Sequence, residues 1–123
     1  KNISDYKVHC FNGIPKFILV CTDRSNDLKE TFFDIEWNLL PFKRPIHDVD
    51  NNIEKPKNLM KMIEYSKILS KNIPFLRVDF YEVEGELYIG ELTFFPASGW
   101  EKFSPDSWDE QIGNYLELPR NDN

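Results

Sequence analysis

Hydrophobic and polar positions alternate over short runs through most of this chain and fall at helical spacing over one long run. Asp5–Phe11 and residues 16–22 are rich in β-branched and aromatic side chains and are separated by Asn12-Gly13-Ile14-Pro15. Asn-Gly readily takes the positive φ angles of a tight turn, so the pattern predicts an antiparallel hairpin. After a polar loop, residues 29–37 centre on Thr31-Phe32-Phe33-Asp34-Ile35, too short for a helix and suited to a strand. Trp37, Leu39, Leu40 and Phe42 are expected to fill the core. Residues 41–56 hold three prolines, several charges and asparagines, which predicts an exposed, mobile loop with few backbone pairings. Leu59, Met62, Ile63 and Leu69 then recur at helical spacing, predicting a helix from Leu59 to about Lys71, capped by Asn58 and lying on the sheet. Ile73-Pro74 ends it. Residues 75–82 and Glu86–Thr93 predict a second hairpin, and Ser104-Pro105-Asp106 starts a second predicted helix over 106–116.

Composition narrows this picture. The chain has 123 residues, 41% of them hydrophobic and 29% charged, enough for one core of a single domain rather than a disordered chain. We expect residues 1–118 to form that unit and 119–123 to fray. The net charge of -6 argues against a nucleic-acid surface, which needs clustered Lys and Arg. No apolar run reaches the roughly 20 residues of a transmembrane helix, and the first residues have no signal-like apolar core. A cytoplasmic location is the expectation. The abrupt start, with a strand predicted from Asp5 and no initiating methionine, suggests a fragment of a longer protein. Cys10 and Cys21 form no metal-type pattern and read as buried reduced thiols.

The second hairpin carries the candidate chemistry. On the first of its strands, Phe75, Arg77, Asp79 and Tyr81 share a face, so Arg77 and Asp79 point the same way. Whether Glu91 joins them depends on register, since a slip of one residue moves a side chain to the other face. A two-residue Glu84-Gly85 loop pairs Val83 with Glu86 and predicts Asp79 and Glu91 on opposite faces. A three-residue Val83-Glu84-Gly85 loop, with Gly85 in a bulge, sets Arg77 opposite Glu91, Asp79 diagonal to it and Thr93 two residues further on. In that register two carboxylates and a hydroxyl suit Mg²⁺, and the guanidinium suits phosphoryl oxygens. The same residues also read as an ordinary ion pair on a solvated sheet face. Phe94-Phe95-Pro96-Ala97-Ser98-Gly99 follows as a loop able to close over phosphates. His9 reads as a satisfied core histidine, and neither it nor His47 is assigned a role.

Arg77-x-Asp79, a hairpin, then Glu91-x-Thr93 and Phe-Phe-Pro-Ala-Ser-Gly resembles the C-terminal metal signature of the ATP-grasp fold. With Asp5-Tyr6-Lys7-Val8-His9-Cys10-Phe11-Asn12-Gly13, Asp34-x-x-Trp37-Asn38, Pro56-Lys57-Asn58-Leu59 and Gly90-Glu91-Leu92-Thr93-Phe94, the chain is similar to the TupA-like ATP-grasp proteins. Together these motifs cover nearly the whole chain, from Asp5 to Trp108. The resemblance implies an α+β fold, the C-terminal subdomain of an ATP-grasp domain, mostly antiparallel sheet with helices packed on it. It implies ATP and Mg²⁺ as cofactors, Asp79 and Glu91 as metal ligands, and Arg77 as a contact to the transferring phosphate. Thr93 stands where the family's usual form has a metal-binding Asn, a weaker ligand. Asp5 matches an acidic position that contacts the ATP ribose, and Lys7, on the same strand face, is placed for a phosphate or an acidic substrate. The implied activity is ligation of a carboxylate and an amine through an acyl-phosphate, with an acidic amino acid or sugar acid as substrate, in cell-surface polysaccharide or teichuronopeptide synthesis. The implied partner is the preceding half of the same domain, without which this fragment is expected to be inactive. A glycosyltransferase or polysaccharide-modifying role, or a non-catalytic ATP-grasp scaffold, are the alternatives.

Overall fold

A computed structural model describes residues 4–22, 28–41, 48–50 and 52–94. The predicted helix over 106–116, Phe42, His47, the loop from Phe95 to Gly99 and the tail 119–123 lie outside them. Five strands form one sheet in the order β3-β2-β1-β4-β5, with every neighbouring pair antiparallel. They are β1 (Asp5–Phe11), β2 (Ile14–Thr22), β3 (Lys29–Asp34), β4 (Phe75–Val83) and β5 (Glu86–Thr93), with helix α1 (Leu59–Leu69) between β3 and β4. The architecture is α+β.

Both hairpins close through left-handed pairs: Asn12 and Gly13 at φ 53° and 80°, Glu84 and Gly85 at 52° and 83°. Such turns match the right-handed twist of the strands they join. Gly13 also lies close under the end of α1, where an added Cβ would stand 3.5 Å from the Ser70 carbonyl oxygen.

The sheet is apolar on both faces. On one, Val8, Cys10, Ile18, Val20, Leu76, Val78 and Phe80 meet Leu59 and Met62 of α1, all buried. On the other, Phe11, Phe17, Leu19, Cys21, Phe32 and Phe75 form a second cluster, with Leu28 and Leu40 against it. Each buried aromatic of this kind contributes roughly 1.5–3 kcal/mol. Cys10 and Cys21 are therefore on opposite faces, and both thiols are free.

Several expectations change. α1 ends at Leu69, and its buried stripe includes Ser66 as well as Leu59 and Met62, while Ile63 and Leu69 are half-buried. Asn58 occupies the N-cap position without a capping side-chain bond. Its Nδ2 instead donates to the Gly85 carbonyl (3.0 Å), and its backbone N–H donates to Glu82 Oε2 (2.7 Å), tying the helix start to the β4–β5 turn. β3 stops at Asp34 because that carboxylate folds the chain back: Oδ1 accepts the Glu36 and Asn38 backbone N–H groups, and Oδ2 accepts Asn38 Nδ2. Trp37 is carried over to stack on Phe33 at 4.0 Å, and Leu40 reaches the aromatic cluster, but Leu39 is 55% exposed. Asp48 and Asp50, in the connection after β3, are better anchored than the expected mobile loop. Asp48 bridges Lys29, and Asp50 accepts from Thr22 Oγ1 and donates its backbone N–H to Thr31 Oγ1.

Candidate functional site

The central strand β1 brings the charged residues together. Along the aromatic face, Lys7 pairs with Leu19 on one side and Asp79 on the other, and Asp79 pairs in turn with Glu91. One pleat along, His9 lies between Phe17 and Arg77, and Arg77 is opposite Thr93. Cross-strand partners share a face, so Lys7, Arg77, Asp79, Glu91 and Thr93 all stand on the same side of the sheet.

Neither register anticipated from the sequence is the observed one. The turn is the two-residue form, with Val83 opposite Glu86, and the three-residue loop with a bulge at Gly85 does not occur. Asp79 and Glu91 nevertheless share a face, because the ladder shifts between Asp79 and Phe80: Phe80 pairs with Ile89 and Asp79 with Glu91. Gly90 is the extra residue, a bulge within β5. Glycine inside a strand frequently marks such a bulge. Consequently Glu91 faces Asp79 and Arg77 faces Thr93, two residues along from the arrangement expected of the bulged turn, which set Glu91 opposite Arg77.

Asp79 is 6% exposed, and its buried carboxylate is held by two cations. Lys7 Nζ donates to Oδ2 at 2.9 Å; Arg77 donates from Nε to Oδ1 at 2.8 Å and from Nη2 to Oδ2 at 3.0 Å. The Lys7 ammonium also stands 3.6 Å from Asp5 Oδ2. Burying a carboxylate is costly unless it is paired and hydrogen-bonded, and this fork satisfies that requirement. Glu91 is exposed and Thr93 half-buried. His9 is buried and stacks on Phe17 at 4.4 Å; its Nδ1 is 3.0 Å from the Lys7 carbonyl, which accepts only, so that nitrogen carries the proton. The ring joins the aromatic cluster that stands beside the charged row on the same face.

Sequence reasoning thus named every member of the charged row but missed the lysine-to-aspartate bond. The strand order β1 next to β4 sets that contact, and no local pattern encodes it. Among the described residues no group of three or more His, Cys, Asp or Glu side chains forms a metal cluster. The donor set is a facing Asp–Glu pair with a threonine hydroxyl alongside. A groove of about 470 Å³, lined by Ile35, Met60, Ile63 and Lys67 among others, lies on the helix face, away from this row. No described helix is long and apolar enough to cross a membrane.

No curated protein and no solved structure matches the chain significantly. A family model does, described as TupA-like ATPgrasp and matching residues 1–117. It spans nearly the whole chain, including all five strands, α1 and the charged row. The chain belongs to the TupA-like ATPgrasp family.

Proposed function

We propose that this chain is the metal- and phosphate-binding part of an ATP-grasp domain, and that the protein is a Mg²⁺- and ATP-dependent ligase of the carboxylate–amine type. One observation carries the reading: Asp79 and Glu91 face each other on one side of the sheet, with Arg77 and Lys7 on the same carboxylate. Mg²⁺ is commonly held by one or two carboxylates together with substrate phosphates, so the facing acids and the Thr93 hydroxyl fit it. Asp79 and Glu91 would be its ligands, with Thr93 the weaker third donor. When bound, the ion would neutralise charge on the phosphoryl group being transferred.

The remaining roles belong to this chain's side chains. Arg77 is fixed by its fork to Asp79, and its side chain remains 22% exposed, so it can turn unused N–H donors toward phosphoryl oxygens. Lys7 offers a point charge beside it. Asp5, at the strand end, would contact a ribose hydroxyl. His9, Phe17 and Phe75 pack together beside the row on the same face, and an apolar surround of this kind strengthens electrostatic interactions. The acceptor we favour is an acidic amino acid or sugar acid destined for a cell-surface polymer.

Isothermal titration of the full-length protein tests this reading. ATP should bind with a requirement for Mg²⁺, and binding should be lost in Asp79→Ala and Glu91→Ala. Binding untouched by both substitutions would remove the site. ADP release with an amine acceptor, against turnover of a nucleotide-sugar, separates a ligase from a glycosyltransferase.

A further inference from the structure

The Lys7 ammonium lies 2.9 Å from Asp79 Oδ2 and 3.6 Å from Asp5 Oδ2. One positive group therefore bridges two carboxylates, as a small cation would. The contact is sheltered, with the side chains of Lys7 and Asp79 14% and 8% exposed. Arg77 covers the other Asp79 oxygen and shares the second, so both oxygens already carry cationic donors.

Charge balance decides what can enter. Asp5, Asp79 and Glu91 bring three negative charges, and Lys7 and Arg77 two positive ones. A lone divalent ion would have to approach Asp79 against two cations within contact distance of the same carboxylate, in a setting where like charges are poorly screened. A metal–polyphosphate complex meets no such barrier, because its own negative charge offsets the cations and its oxygens can accept the ammonium. Of the two cations, Lys7 is the one able to leave. It is a compact charge on a flexible four-carbon stem, whereas Arg77 is a planar fork bonded through two nitrogens from the same strand.

We propose that Lys7 is the resident cation of the Asp79 position: it excludes free divalent ions and transfers to phosphate oxygens when the metal arrives together with a nucleotide. This rests on the Mg²⁺–ATP reading and gives Lys7 a role distinct from simple phosphate contact. Metal and nucleotide should accordingly bind with strong positive coupling, and the coupling should depend on the ammonium.

Mn²⁺ binding, followed by electron paramagnetic resonance on the full-length protein with and without ADP, tests the proposal in wild type, Lys7→Met and Lys7→Arg. In wild type, ADP should tighten Mn²⁺ binding by at least about tenfold, within the usual range of coupling between sites. Lys7→Met should bind free Mn²⁺ at least about tenfold more tightly than wild type, with the ADP effect largely gone. Lys7→Arg, which keeps the charge, should stay close to wild type in free Mn²⁺ affinity. A folded Lys7→Met protein with free Mn²⁺ affinity equal to or below wild type would overturn the proposal. If circular dichroism shows Lys7→Met unfolded, wild type decides alone: Mn²⁺ affinity indifferent to ADP overturns it, and coupling supports it. The two readings fail differently. Mn²⁺–ADP binding that survives Asp79→Ala removes the metal–nucleotide site itself, whereas Asp79-dependent binding without a gain in Lys7→Met removes the Lys7 role alone.

Discussion

Asp79 and Glu91 stand directly opposite each other, although the two-residue turn joining their strands counts them one position out of step. The Gly90 bulge absorbs the difference. An added Cβ at Gly90 would meet the Tyr81 ring at 3.5 Å and the Asp79 carbonyl oxygen at 3.8 Å, ordinary contacts, so the extra residue matters more than its being glycine. Deleting Gly90 should leave a regular ladder with Glu91 still opposite Asp79, and Mg²⁺-dependent nucleotide binding should persist. Inserting one alanine between Gly90 and Glu91 should turn Glu91 and Thr93 to the helix face and abolish it. Cross-strand Hα contacts by NMR would report the register in each case.

Asp79→Ala should also destabilise the fold. It leaves the Lys7 ammonium and the Arg77 guanidinium without their shared carboxylate in a sheltered position, and stranding a buried charge partner costs about 3 kcal/mol. The partial exposure of both cations puts the expected value at or below that figure. Urea unfolding should show a lower midpoint at unchanged slope. Lys7→Met should cost much less, since Arg77 still pairs with Asp79 and the new side chain packs beside Leu19.

Alkaline pH should weaken the protein through Cys10. Burial pushes its thiol up from 9.0 to about 11, with the neighbouring Ser70 and Ser66 hydroxyls opposing the shift only in part. The folded value lies above the unfolded one, so the thiol's contribution is fully present below about pH 9 and is lost as pH rises toward 11. The size is on the order of 2–3 kcal/mol across that window. Burial also raises the Tyr6 hydroxyl, with Glu82 adding to it, and the same sign applies there. Stability measured from pH 8 to 11 should fall, and Cys10→Ala should flatten part of the decline while lowering stability at pH 8 by leaving a small cavity.

The Asp34 turn makes a purely structural prediction. Three donors converge on its carboxylate, and Trp37 behind it holds φ 69°, a left-handed value that a non-glycine residue adopts at a cost. Asp34→Ala should cost about 2 kcal/mol, measured by thermal unfolding. Release of Trp37 from Phe33 should shift tryptophan emission toward the red.

Much of the fold was legible from local pattern. The Asn12-Gly13 turn, all five strands and the start of α1 follow from turn chemistry and from the periods of the apolar residues, because those properties act within a few residues. The candidate charged row was legible as a set of residue types, since Arg77, Asp79, Glu91 and Thr93 stand out in otherwise apolar strands. Their arrangement was not. The register hinges on a bulge that a glycine permits but does not announce, and the Lys7–Asp79 bond spans 72 positions. Asn58 misleads for a similar reason: it sits where a helix cap should be, but the carbonyl it satisfies is Gly85, on another element. The Asp34-x-x-Trp37-Asn38 motif supports the family resemblance, but here its carboxylate is occupied in folding a turn.

β5 ends the sheet order, and among the described residues it pairs with β4 alone. Glu91 and Thr93 therefore ride on a strand secured from one side, by its ladder and by the Asn58 link to the turn. A ligand that bridged Asp79 and Glu91 would act as a clasp between the two strands. At a hundredfold excess over its dissociation constant, such a ligand would add about 2.7 kcal/mol to the state in which β5 is docked. Occupancy and integrity of the outer strand then become one equilibrium, readable as slower amide exchange from Leu87 to Thr93.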